Sequence, residues 1–464
     1  MSTSANNLDA QIQSAISLHK AGHLDQAQAI LEQIIQQHPG HADGLNLLGA
    51  VKVARGDYVE AVKSLQAAIR HQPAKAGPYV NLGVALERQG KLKPALHHYQ
   101  HALRLKPSLV AAHYNLANVF KHLHRPIEAI KAYKQALTLA PDHAEARLNL
   151  GALQLGLGDF SEGWTHYEWR WQSSDCAMAK PHWPWPAWQG QPLTGGLLVW
   201  GEQGVGDQIL FAGLLEEAAA RVGHLTVTVD PRLVPLLQRS LPGIDVQASG
   251  QPLERERYQA QIALGSLGQF FRTQAGDFTR SRSPYLAADP QRVQAIKTHW
   301  QDVPRPWTGL AWRSVNPRLG AEKSLTLDQL QPLMNAWGGG FIDLQYGDTA
   351  EERQQLKAVR GIDLWHYAAI DNFADLDGLA ALIAACDRVV TISNVTAHLA
   401  GALGTPTRLM LPTGAMSQHW YWYAPQQASV WYPGLDVYRQ DHPGQWLSVV
   451  QRIIRTSNPG YRFA

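Results

Sequence analysis

Cysteine is nearly missing from this chain. Only Cys176 and Cys386 occur among 464 residues, too few and too far apart for a disulfide framework, which fits a reducing compartment. Long apolar runs are also absent, so no membrane-spanning helix is expected. The opening Met-Ser-Thr-Ser-Ala-Asn-Asn has neither a basic cluster nor an apolar stretch, so no secretory leader is expected either. The expected location is the cytoplasm. The charge excess is slight: 41 Lys and Arg stand against 38 Asp and Glu, for a net +3. With no basic stripe to meet a phosphate backbone, nucleic acid is not an expected partner. Tryptophan is missing from one region only. None precedes Trp164, yet six of the 16 fall between Trp164 and Trp188. That shift in composition marks a domain boundary near residue 160.

What is present is repetition. Pro39, Pro73, Pro107 and Pro141 recur every 34 residues, as do Ala27, Ala61, Ala95 and Ala129. Leu31, Leu65, Tyr99 and Tyr133 keep the same interval, and so do Ile34, Ala68, Ala102 and Ala136. Each unit reads as two amphipathic helices. Leu48-Gly49 or Leu82-Gly83 lets the second helix approach, Gly22, Gly56 or Gly90 makes the turn, and the proline stops the second helix. This is the tetratricopeptide pattern, an α-solenoid. Units begin near Leu8, Ala42, Ala76 and Val110. A partial fifth starts at Ala144, then departs where Gly163 replaces the alanine and aromatic residues crowd in. Such a unit suits packing on another domain rather than on a sixth repeat. The groove of the array is expected to take a protein or peptide partner, the plainer alternative being support or self-association. His97, His98 and His101 are read as a solvated helix face rather than a metal site.

After the connector Pro181 to Pro192 the pattern alternates strand and helix. Leu197–Trp200 and Leu225–Val229 read as strands, with helices running to Ala220 and from Arg232 to Ser240. The alternation resumes at Thr308–Trp312 and ends on a strand at Thr407–Leu411. Helices are expected at 326–336, 351–359, 376–385 and 396–403, and strands at 341–344 and 388–392. Two Rossmann-like lobes follow, with ligands expected at the carboxyl ends of their strands. The boundaries drawn are 1–172 for the array, 173–303 and 304–440 for the lobes, and 441–464 for a C-terminal helix and tail.

Two strand-to-helix turns carry candidate chemistry. Gly204-Val205-Gly206-Asp207 matches neither a Walker loop nor the dinucleotide fingerprint. Asp207 at a helix start reads as a cap, or as a general base beside the cleft. The second turn, Ser393-Asn394-Val395-Thr396-Ala397-His398, offers free amides at a helix start for a diphosphate, or is an ordinary capped helix. Asp375 and Asp377 spell Asp-x-Asp but open a helix and read as caps, so no metal is expected.

The motifs Gly-Glu-Gln-Gly-Val-Gly-Asp-Gln at 201–208, Ala-His-Leu-Ala-Gly-Ala-Leu-Gly-Thr-Pro at 397–406 and Trp-Tyr-Pro at 431–433 carry a resemblance. The chain resembles bacterial tetratricopeptide–glycosyltransferase fusions, whose catalytic half is similar to the ADP-heptose:lipopolysaccharide heptosyltransferases. That resemblance implies a GT-B fold, with acceptor on the first lobe and nucleotide sugar on the second. It implies Asp207 as general base, with Gly204, Gly206 and Gln208 near the acceptor. On the donor side it implies Ser393, Asn394, Thr396 and His398, with Lys323 and Arg313 stabilising the leaving diphosphate. Ser393-Asn394-Val395 replaces the Asp-Thr-Gly of heptosyltransferases, so ADP-heptose is not assumed. The expected activity is inverting sugar transfer from a nucleotide diphosphate sugar to a protein or glycan, without metal or other cofactor. Alternatives are a repeat scaffold with an inactive transferase domain and a nucleotide-sugar epimerase.

Overall fold

The 34-residue period becomes a run of helix pairs, because each interval places one small residue where two helices must touch. The computed structural model describes residues 2–174, 180–280, 284–317, 320–413, 419–423, 425 and 427–458. The chain divides into two units, Met1–Leu150 and Gly151–Ala464. Cys176 and the tail beyond residue 458 lie outside the described residues.

In the first unit, α1 (Ser2–Lys20) pairs with α2 (Leu24–Gln37), and α3 (Ala42–Arg55) with α4 (Tyr58–His71). Helices α5 (Ala76–Arg88) and α6 (Leu92–Leu105) form the next pair, then α7 (Val110–His122) and α8 (Pro126–Leu139). Helix α9 (Ala144–Leu155) begins the last pair. A methyl at Gly83 would overlap the Tyr99 ring, and one at Gly49 would overlap Leu65. Both partners are fully buried, so the glycine is the socket into which the repeat's large residue packs. The turns at Gly22, Gly56 and Gly90 lie in the left-handed region, and His124 at the corresponding position also lies there, with φ 55. His101 stacks on Tyr79 and its Nδ1 meets the Arg104 guanidinium.

The second unit opens with the remainder of α9, α10 (Phe160–Tyr167) and a short 3-10 turn, Glu168–Trp171. A side chain on Gly151 would strike the Tyr167 backbone nitrogen at 2.7 Å, and one on Gly163 would strike Leu155 at 2.8 Å. The missing alanine at 163 therefore reflects an unusually close helix pair. The array was expected to extend to residue 172, whereas the division by packing falls at Leu150.

Four parallel strands follow: β1 (Leu193–Trp200), β2 (Val222–Val229), β3 (Asp245–Ala248) and β4 (Tyr258–Ala263), ordered β3-β2-β1-β4. Between and after them lie α11 (Val205–Ala212), α12 (Leu215–Ala219), α13 (Val234–Ser240), α14 (Gly268–Phe271) and α15 (Pro290–His299). A second parallel sheet holds β5 (Trp307–Ala311), β6 (Gly340–Asp343), β7 (Leu364–Trp365), β8 (Arg388–Ile392), β9 (Thr407–Leu411) and β10 (Leu435–Arg439). Its order is β10-β9-β8-β5-β6-β7. Its helices are α16 (Gly320–Lys323), α17 (Leu327–Trp337), α18 (Ala350–Arg360), α19 (Leu376–Ala385), α20 (Val395–Ala402) and α21 (Trp446–Ser457). Central strands are buried on both faces, as parallel sheets require.

Four strands escape the sequence reading: β3, β4, the two-residue β7 and β10. The strand at Thr407–Leu411 is therefore not the last. The expected helix ending at Ala220 is two helices, α11 and α12, with Gly213 and Leu214 between them. Among the described residues, no helix is long and apolar enough to cross a membrane.

Candidate functional site

Each sheet has one place where successive connections leave in opposite directions, and the crevice for a ligand forms there. In the four-stranded sheet that place is β1/β4, and in the six-stranded sheet it is β5/β8. The two turns singled out in the sequence leave β1 and β8 at their carboxyl ends. Helices α11 and α20, which those turns begin, pack against each other. A side chain on Gly206 would stand 2.9 Å from Cδ2 of His398 and 3.3 Å from its Nε2. Glycine here lets the imidazole of one lobe lie on the backbone of the other.

The first turn is held under tension. Gln203 sits at φ 58, a left-handed conformation that a side chain tolerates poorly. Its amide reaches the Tyr167 hydroxyl at 2.8 Å. Beside it, Glu202 is clasped by Arg170 and accepts from the Gly265 amide at 3.0 Å. Asp207 Oδ2 accepts from the Gly204 amide at 3.1 Å, so the cap reading holds. Burial, offset in part by that amide and then reinforced by Glu202, raises the Asp207 carboxyl to about 6. Lys323 pulls in the opposite direction. Gln208 turns inward instead of facing the cleft: it is buried and accepts from the Asp230 amide at 2.8 Å.

The second turn is built around α20. Asn394 caps it, with Oδ1 accepting from the Ala397 amide and the Thr391 hydroxyl, both at 3.1 Å. Its Nδ2 is buried and, among the described residues, has no hydrogen-bond partner. Thr396 is buried in the first turn. Lys323 is buried too, its Nζ 3.5 Å from the Ser393 carbonyl. Burial lowers its pKa, and Asp207 partly restores it. Lys323 thus lies within electrostatic reach of both Asp207 and His398.

His398 is buried and stacks on Trp422 at 4.7 Å, with Nδ1 3.0 Å from the Tyr432 hydroxyl. Burial, then the neighbouring Lys323, depresses its pKa to about 3, so the ring is neutral at ordinary pH. Arg313 stands apart from this group. Its guanidinium pairs with Glu352 at 3.0 Å and donates to the Asp348 carbonyl at 2.6 Å.

Sequence reasoning missed His419, Tyr421, Trp422 and Tyr285. The Trp422 indole donates to the Ser393 hydroxyl at 2.9 Å, and the Tyr421 hydroxyl meets His419 Nδ1 at 2.8 Å. The dense run His419-Trp420-Tyr421-Trp422-Tyr423 was the available signal. Aromatic density alone, however, does not distinguish a site wall from a core. Among the described residues, no three His, Cys, Asp or Glu side chains are grouped as metal ligands. Asp375 accepts from the Gly378 amide as a helix cap, and Asp377 pairs with Arg239.

Residues 9–41, 49–90, 88–123 and 110–143 match family models of the tetratricopeptide repeat. The N-terminal region is thus a tetratricopeptide-repeat array, followed by an α/β region of parallel sheets. Among characterised proteins the chain is similar to protein FlbA of Caulobacter vibrioides, 32% identical over 323 residues. That match takes in 65% of this chain and 53% of the relative, so the chain spans about half the relative's length. Among solved structures it is similar to TTC0263, a thermophilic tetratricopeptide protein of Thermus thermophilus, at 23% identity and a TM-score of 0.32. That match covers 35% of this chain and 88% of the other. It is also similar to YrrB, a tetratricopeptide protein with an unusual peptide-binding site, at 21% identity and a TM-score of 0.29, over 36% and 88% of the two chains.

Proposed function

We propose that the α/β region is a GT-B-type glycosyltransferase and that the repeats recruit a protein or peptide acceptor to it. The observation that carries the reading is the meeting of Asp207 with Lys323 and the α20 N-terminus. One is a carboxylate poised near neutrality, the other a cationic, amide-rich end suited to a diphosphate. In the proposed reaction Asp207 takes the proton of an acceptor hydroxyl, whose oxygen attacks the anomeric carbon from the face opposite the leaving group. The bond from that carbon to the diphosphate oxygen breaks, and the nucleoside diphosphate leaves with the electron pair. Lys323, Thr396 and the free amides of α20 stabilise its charge without a metal ion. Arg313 would have to leave Glu352 to join them.

A thermal-shift screen of the whole chain with uridine, guanosine, adenosine and cytidine nucleotides tests this. One nucleotide should raise the melting temperature, and Lys323→Met should abolish that rise. If no nucleotide stabilises the protein, the reading fails in favour of a repeat scaffold with an inactive domain.

A further inference from the structure

Asp375 and Asp377, at the start of α19, are met by arginines from two directions. Arg292, on α15, bonds Asp375 through both terminal nitrogens, with Nη1 at 3.1 Å, and reaches Asp377 at 3.5 Å. Helix α15 packs on α19, and its last neighbour Trp300 stands edge-on to Trp307 and Tyr367 at 5.8 and 5.4 Å. Although it precedes β5, α15 is thus packed on the second lobe. Arg239 comes from α13 of the first lobe. Its guanidinium bonds Asp377 through Nη2, with Nη1 3.5 Å from the same carboxylate and 3.9 Å from Asp289, the cap of α15. Nearby, Arg232 donates from Nη1 to the Phe373 carbonyl at 3.1 Å and lies over the Phe373 ring at 4.8 Å. Two first-lobe arginines therefore grip one second-lobe segment, 373–377. Asn372 ties that segment to the carboxyl end of β6, donating to the Asp343 and Gln345 carbonyls at 3.3 and 3.1 Å. On the first lobe, Arg232 pairs with Asp230, whose amide donates to Gln208, the residue after Asp207.

The backbone alone does not fix how the lobes stand. Strands β1 to β4 make one sheet and β5 to β10 the other, so the chain passes between the sheets once. Elsewhere the lobes meet through rings, with Phe211 and Phe278 at 5.9 and 4.9 Å from Trp431. That junction is apolar and is not weakened by salt, whereas the arginine junction is ionic and is. The Arg239 and Asp377 side chains are 26% and 12% exposed, enough for ions to screen the pair. We propose that Arg239 and Arg232 form an electrostatic latch on Asp377 and Phe373, whose release swings the lobes about the aromatic junction and opens the crevice between α11 and α20. Arg292 is the positioning residue that keeps Asp377 aimed at Arg239. The latch does not depend on what the crevice binds and so stands apart from the transferase reading.

Hydrogen exchange read by mass spectrometry on the full chain tests the latch. At about 1 M sodium chloride the Debye length shrinks to about 3 Å, which screens the arginine junction. Relative to low salt, wild-type exchange should then quicken about three- to fivefold in peptides covering the facing first turns of α11 and α20, the worth of a partly exposed pair. Arg239→Gln and Asp377→Asn should show that acceleration already at low salt and respond little to more. The peptide covering β8, at the centre of the second sheet, should keep its wild-type rate throughout, since its exchange reports deeper unfolding. Should Asp377→Asn fail to fold with Arg292 left short of a partner, Arg239→Gln and the wild-type salt response decide the matter. Unchanged exchange at α11 and α20 overturns the latch. Equal acceleration of β8 marks a general loss of stability and overturns it as well.

Discussion

Arg170 grips Glu202 with two nitrogens, Nε at 3.0 Å and Nη2 at 2.7 Å, and both side chains are only 2% exposed. Arg170 belongs to the aromatic run after α10, and Glu202 to the turn that leads into Asp207. Ser266 and Glu168 complete the network at 2.6 to 3.0 Å. Removing one partner strands the other's charge in a dry site, so Arg170→Met should destabilise the α/β unit by ~3–5 kcal/mol. Every tryptophan lies at or beyond residue 164, so tryptophan fluorescence during guanidinium unfolding reports this unit selectively. A midpoint equal to wild type would show that the pair is dispensable.

The sockets of the array give a complementary test. Gly83→Ala forces a methyl into the Tyr99 ring and should cost ~1–3 kcal/mol by overpacking. The loss should appear in the helical signal of far-ultraviolet circular dichroism, with the tryptophan transition unmoved.

On the proposed mechanism, Asp207 links stability and rate through pH. Its carboxyl is raised to about 6 from an ordinary value of 3.8, so the folded state holds the proton more tightly than the unfolded state does. The stability this contributes is complete below about 3.8 and is lost as pH rises through about 6. Asp207→Asn, whose amide oxygen can keep the Gly204 contact, should therefore raise the melting temperature at pH 8 but not at pH 4. Sugar transfer, followed with the nucleotide sugar that the binding screen identifies, should fall at least a hundredfold in the same variant.

In the wild type, kcat/KM should rise with pH through an acid limb near 6. Removing the nearby cation in Lys323→Met makes the Asp207 carboxylate harder to form, which moves that limb upward along with a loss of rate. A limb unchanged in position would separate the two residues.

His398 and His419 act with the opposite sign. Burial lowers both imidazoles to about 3 from 6.5, so the unfolded chain takes up protons first on acidification. The stability they contribute is present above about 6.5 and drains away as pH falls toward 3. Urea unfolding of the α/β unit should grow steadily easier below pH 6.5, and His398→Gln should flatten that dependence.

Legibility in the sequence followed the range of the interactions. The array was readable because its sockets recur at a fixed spacing, and α19 and β8 because their apolar runs end at clear turn residues. Strand β4, Tyr-Gln-Ala-Gln-Ile-Ala, interleaves glutamines with apolar residues because Gln261 accepts from the Trp200 indole at 2.6 Å. That bond spans two strands far apart in the sequence and leaves no local mark. Strand β10 is hidden behind a run of aromatics and carries Asp436 and Arg439 at its surface. Asp207 and His398 were found as residues in motifs, and Lys323 only through the family resemblance. Tyr285 and His419 join them only through folding, and no spacing announces either. Arg313 shows the converse, since its place after β5 was legible but its partner Glu352, on α18, was not.

The tight seam between α9 and α10 has a bearing on how such chains can vary. Gly158, at φ 85, lies so close to Tyr423 that a methyl there would sit 2.7 Å from its hydroxyl. The adjoining Trp422 is the ring on which His398 rests. This half-repeat thus packs directly on the aromatic segment that holds the His398 ring. None of the site residues named above lies in the repeats upstream of it, which recur in blocks of 34 residues. On the proposed function, whole blocks could be gained or lost between Gly22 and His124 without altering the residues packed around the imidazole, so reach toward a partner and the transfer step would be free to evolve separately.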